Sequence, residues 1–73
     1  DPASTGLIEE LLKELAVGLC VIIVTHNLFQ ARRIADETVF MMDGQMIEKG
    51  LTSKLFISPS DEKTRSFFSG LVG

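Results

Sequence analysis

His26 is the residue in this sequence best placed to do chemistry. It follows the apolar run Leu19-Cys20-Val21-Ile22-Ile23-Val24 and Thr25, and it precedes Asn27-Leu28-Phe29-Gln30. That order reads as a buried strand giving way to a helix, and in open α/β sheets ligands bind just beyond the carboxyl ends of the strands. An imidazole there can donate a hydrogen bond to a phosphoryl oxygen and help hold an attacking water. This suits phosphoryl transfer, where catalysis is mostly positioning and electrostatics, and the adjacent helix N-terminus favours an anion further. From position alone, a satisfied structural histidine is the competing reading, and one histidine does not make a metal site.

The other polar candidates read more plainly. Asp1 is suited to cap a helix. Cys20 is flanked by apolar residues on the expected buried strand, so its thiol is assigned no chemistry. Arg32-Arg33 is the one adjacent basic pair, but neighbouring residues on a helix diverge by about 100°, so the two do not form a joint clamp and read as a solvated face. Met41, Met42 and Met46, with the pair Phe67-Phe68, read as core packing, with a partner surface as the alternative.

The elements that must carry these residues follow from periodicity. Pro2 suits a first helical turn, and Leu7, Ile8, Leu11, Leu12 and Leu15 recur at helical spacing. Glu9 and Lys13 stand four apart in the favourable order for a local ion pair, and Gly18 marks the stop. Leu19–Val24 is rich in β-branched residues and does not alternate, the pattern of a strand buried on both faces of a parallel sheet. Asn27 with Gln30 three residues on resembles a capping box, opening a helix that turns Leu28, Ala31, Ile34 and Ala35 inward and ends near Asp36. Thr38–Met42 and Gln45–Lys49 flank Asp43-Gly44, the dipeptide of a two-residue type I′ hairpin. Lys54–Ile57 is a short amphipathic piece closed by Ser58-Pro59. Ser60, Asp61 and Glu62 start a last helix that would bury Phe67, Phe68 and Leu71.

Composition limits what these elements can build. The chain has 73 residues, 45% of them hydrophobic, with a formal net charge of -3, room for one small core. A chain this short buries only about 60% of the surface its unfolded form exposes, and one Cys and one His supply neither a disulfide nor a structural metal. The acidic balance gives no electrostatic footprint for nucleic acid. Leu19–Val24 falls far short of the roughly 20 apolar residues of a membrane-spanning helix. No signal-peptide pattern opens the chain, and a reducing, cytoplasmic setting fits the lone Cys. The start on Asp1-Pro2 without an initiator Met leads us to expect a fragment, half of an α/β layer lacking the rest of its sheet.

Read together, Asp1-Pro2-Ala3-Ser4-Thr5, Val21–Asn27, Ala35-Asp36 and Met42-Asp43-Gly44-Gln45-Met46-Ile47-Glu48-Lys49-Gly50 resemble the end of an ABC transporter ATP-binding subunit. The order and spacing cover nearly the whole chain. The resemblance implies an α/β fold for residues 1–73, the C-terminal part of a P-loop NTPase domain of the ABC ATPase kind, built helix-strand-helix-hairpin-helix with an incomplete sheet. It implies that Asp1 closes the D-loop, lining the dimer interface and the opposite ATP site. It likewise implies that His26 is the switch histidine that contacts the ATP γ-phosphate when two subunits close on nucleotide. Thr25-His26-Asn27, Gln30–Asp36 and the ending from Ser58 to Gly70 are similar to importers of phosphate, molybdate or tungstate.

Under this resemblance the parent protein hydrolyses ATP with Mg²⁺. Its partners are a second ATP-binding subunit and transmembrane permease subunits, on the inner face of the cell membrane. The 73 residues contain no Gly-rich phosphate loop with its Lys, no Q-loop, no signature motif and no Asp-Glu pair ending a strand; in that family all would lie upstream of Asp1. The chain by itself is therefore expected neither to bind ATP tightly nor to hydrolyse it. Two alternatives stand beside the importer: a soluble, non-transport ABC ATPase, and a small non-catalytic α/β interaction module. An unpaired strand and an uncovered apolar helix face lead to self-association of the isolated chain. Light scattering should give a dimer or larger species, and a monodisperse monomer would contradict this.

Overall fold

The computed structural model describes residues 2–72, with side-chain surroundings for residues 3–70. In chain order the elements are α1 (Pro2–Leu15), α2 (Leu28–Ile34), β1 (Glu37–Met42), β2 (Gln45–Leu51), α3 (Thr52–Leu55) and α4 (Glu62–Val72). Helices and a two-stranded antiparallel sheet are thus mixed in one chain. No helix among the described residues is long and apolar enough to cross a membrane.

The hairpin forms where the Asp43-Gly44 dipeptide places it. Both turn residues take positive φ, 52° at Asp43 and 76° at Gly44, as a type I′ turn requires and as Asp and Gly tolerate best. Met42 faces Gln45 and Met41 faces Met46, but Phe40 faces Glu48. Ile47 is therefore an extra residue, a bulge that increases the local twist. The bulge leaves Ile47 packed on the core together with Met42, while Met41 and Met46 stay exposed on the opposite side. The methionine group thus divides by strand alternation between core and surface.

Among the described residues Phe40, Leu55 and Phe68 are the buried apolar ones, with Leu28, Met42, Ile47 and Phe56 half-buried around them. The Phe68 ring meets Phe40 edge-on at 5.5 Å and stacks on Phe56 at 4.7 Å. Aromatic pairs in these geometries add about 0.5–1.5 kcal/mol each beyond the area they bury. Phe67, expected inside, is half exposed; its ring instead flanks Phe40 at 5.1 Å, because adjacent helical positions cannot both face one small core. The expectation for the Leu71 side chain lies outside the described residues.

Polar contacts hold the short elements to the hairpin. The Thr52 N–H donates to the Asp36 carbonyl at 3.0 Å, and the Thr38 and Thr52 hydroxyls are 2.8 Å apart, fixing α3 across the start of β1. Glu48, on β2, accepts the backbone N–H groups of Ser60 and Asp61 at 2.7 and 2.9 Å. These donors precede the first turn of α4, where Asp61 accepts the Lys63 N–H at 2.8 Å. The start of the last helix is thus fixed by a distant strand carboxylate as well as by its own Asp.

One expected element is not formed. Residues 20–25 have no sheet pairing, and Leu19, Ile22, Ile23 and Val24 are exposed, Val24 almost completely. A strand buried on both faces needs neighbours on each side for its ladder, and the two strands among the described residues pair with each other. Cys20, expected buried on that strand, is exposed with it. The α1 stripe of Leu7, Ile8, Leu11 and Leu15 is likewise exposed. Gly18 lies in the turn that ends the helix, where Leu19 N–H still donates to the Leu15 carbonyl at 3.0 Å.

The two backbone donors hold the Glu48 carboxyl below its ordinary value, against the opposing effect of its burial. A carboxylate whose folded-state pKa is depressed stabilises the fold fully above its unfolded value, and that stabilisation is lost as pH falls through the depressed value. Glu48→Ala should therefore lower stability at neutral pH yet lose less on acidification than the unchanged chain. Amide-exchange protection of α4 measured across the acid range checks this, and equal acid dependence in both proteins would contradict it.

Candidate functional site

His26 sits at a bend between the extended segment 20–25 and α2, and its side chain is exposed. The backbone on either side of it is fixed locally. The Asn27 N–H donates to Thr25 Oγ1 at 2.9 Å, and Asn27 Oδ1 accepts the Gln30 N–H at 3.1 Å. Asn27 is thus the N-cap of α2, with extended φ and ψ. Half of the expected capping box is formed; its reciprocal bond is replaced by the threonine hydroxyl, which satisfies the Asn27 donor from the other side.

Glu9 corrects one sequence expectation. It does not rely on Lys13, four residues on; the Arg33 guanidinium donates from Nε to Oε1 at 3.0 Å and from Nη2 to Oε2 at 2.6 Å. Arg33 is therefore ion-paired, yet its side chain remains 52% exposed and Arg32 is exposed beside it, as expected of a solvated face. Two parallel N–H···O bonds from a planar fork outcompete one flexible ammonium group that the helix places nearby. The hydrogen bond from Arg33 holds the Glu9 carboxyl below its ordinary value, against the opposing effect of its burial, and Glu9 in turn raises Arg33. Glu9 is 8% exposed, the socket into which Arg33 reaches.

The structure brings α1 and the helix that follows His26 together through this pair. Asp1 lies outside the described residues. A shallow groove lined by Arg32, Asp36, Thr52, Ser53, Phe56 and Ile57 runs between α2 and α3; His26 does not line it. Among the described residues no three or more His, Cys, Asp or Glu side chains converge to hold a metal ion. The described chain therefore supplies an accessible imidazole on a locally fixed backbone.

No protein-family model matches the chain. Along all 73 residues, however, it is 48% identical to the phosphate import ATP-binding protein PstB of Malacoplasma penetrans, covering 25% of that protein. It is 49% identical to the protein of the same name from Campylobacter jejuni, covering 30%, and 45% identical to that of Bacillus cereus, covering 27%.

The chain is a homologue of ABC transporter ATP-binding subunits.

It spans between a quarter and a third of the length of these relatives. The resemblance carried by the Asp1–Thr5, Val21–Asn27 and Met42–Gly50 segments thus points to the same kind of subunit as these relatives. Neither Glu9 nor Glu48 was singled out as a distant partner from the sequence. Their partners lie 24 residues away for Glu9 and 12 and 13 for Glu48, beyond any local spacing rule, and Lys13 offered Glu9 a nearer one.

The cap that fixes the backbone after His26 can be tested directly. Asn27→Ala should cost about 1 kcal/mol of α2 stability, seen as faster exchange of the Gln30 amide. Unchanged Gln30 protection would show that the cap is dispensable.

Proposed function

We propose that this chain is part of the ATP-hydrolysing subunit of an ABC importer, with phosphate as the transported oxyanion and His26 as the residue that contacts the ATP γ-phosphate. The observation that supports this most is the 41–49% identity, over every residue of the chain, to proteins named for phosphate import and ATP binding. On this reading residues 1–73 are the C-terminal part of the subunit's ATP-binding domain, and the exposed segment 20–25 is a sheet strand of the whole domain. Asp1 belongs to the D-loop at the interface with a second ATP-binding subunit. ATP-driven closure of the two subunits acts on transmembrane permease subunits at the inner face of the membrane, with Mg²⁺ supplied by residues elsewhere in the subunit.

The exposure of His26 fits this role. An imidazole that acts on a phosphoryl group held largely by other parts of a protein must project from its own segment, and its backbone must be held so that its reach is defined. Thr25 and Asn27 hold that backbone from both sides. The neutral ring can donate one hydrogen bond to a phosphoryl oxygen and orient the attacking water.

In the full-length subunit, His26→Ala should lower kcat for ATP hydrolysis by about 100-fold or more while ATP binding persists. Steady-state ATPase rates together with nucleotide-binding measurements check this. A variant that turns over ATP at the unmodified rate would remove His26 from the mechanism, and a full-length protein that never binds ATP would remove the ATPase reading altogether.

A further inference from the structure

We propose that the Glu9–Arg33 ion pair is a positioning device for His26, fixing the rotation of α2 against α1 and thereby the backbone that carries the imidazole. The inference rests on the reading of His26 given above.

Helix α2 has seven residues and buries none of them. Leu28 in its first turn packs against the core, and Ala31 and Ile34 are half-buried, so packing anchors the start of α2, but with no fully buried side chain it holds the rest of a short helix less firmly. In its last turn α2 adds Arg33, bonded through Nε and Nη2 to both oxygens of Glu9 on α1. A single charge contact fixes a distance, whereas two parallel bonds from a planar guanidinium also fix an angle. The carboxylate end is the more enclosed of the two, with the Glu9 side chain 10% exposed against 52% for Arg33.

The pair connects to His26 by bonded neighbours. Gln30 lies three residues before Arg33 on the same side of α2. The Gln30 backbone N–H is held by Asn27 Oδ1, and the Asn27 N–H by Thr25 Oγ1. Glu9 is thereby tied, through α2 and its cap, to both residues flanking His26. Helix α1 begins at Pro2, directly after Asp1, so the same ion pair links the helix following one assigned interface residue to the helix following the other. Glu9 and Arg33 are positioning residues: neither is assigned a contact with nucleotide.

The test is a double-mutant cycle on ATP turnover by the full-length subunit, using Glu9→Gln, Arg33→Gln, the two together, and Arg33→Lys. Each single Gln change should lower kcat about threefold to tenfold with KM for ATP unchanged, and the double variant should be no slower than the worse single. Arg33→Lys keeps the charge but loses the fork, so it should fall between Arg33→Gln and the unmodified protein, and it preserves a folded comparison if Arg33→Gln is unstable. Additive losses in the double variant, a kcat loss matched by a rise in KM, or unmodified kcat in the single variants would overturn the proposal. If His26→Ala is impaired while the Glu9 and Arg33 variants turn over normally, the positioning role fails and the His26 reading stands. If His26→Ala itself is unimpaired, it is the His26 reading that fails.

Discussion

The edge-on contact of Phe68 with Phe40 holds the hairpin and the last helix together, and the described chain after Asp36 is arranged around it. Phe40 sits on the inward face of β1 immediately before the bulge at Ile47. Phe68 lies one helical turn beyond the fully buried Thr64, on the same side of α4. With Leu55 they form a core of three buried apolar side chains. In a core so small the placement of α4 is fixed twice over: by its Phe68 ring and by the Glu48 carboxylate that receives the N–H groups of Ser60 and Asp61 just before it.

The half of the chain before Asp36 obeys a different constraint. The α1 stripe and residues 19–24 remain largely exposed, while Leu28 of α2 packs on the core, and a polar contact joins α1 to α2. Glu9 and Arg33 supply it, and the caps at Thr25 and Asn27 carry that fixation to the bend at His26. Hydrogen-bonded contacts of this kind are directional where apolar contacts are not. A residue that must project outward gains definition from such a scaffold without being buried by it.

Much of the fold is legible in the residues. Asp43-Gly44 determines the hairpin because only a few residue types accept positive φ at both turn positions. Asn27 determines the start of α2 because its short side chain reaches the Gln30 amide. The failure at Leu19–Val24 is as instructive. Apolar, β-branched composition states that a segment is fit to be a buried strand, but strand formation is a property of neighbours, and the pairing partners are not a local matter. The exposure of Cys20 follows from the same missing ladder.

By itself, the sequence determined the turn, the caps, the helical periodicity and the position of His26 between an apolar run and a helix. All depend on residues within a few positions of one another, where backbone geometry fixes the distance between side chains. Only the tertiary structure decided that Arg33 and not Lys13 pairs with Glu9, that Glu48 caps a helix on the far side of a loop, and that Phe68 is buried while Phe67 is not. Those outcomes depend on how separate elements meet. Competition among donors for one carboxylate, or between two adjacent rings for one core, is settled by direction and space that no spacing along the chain records.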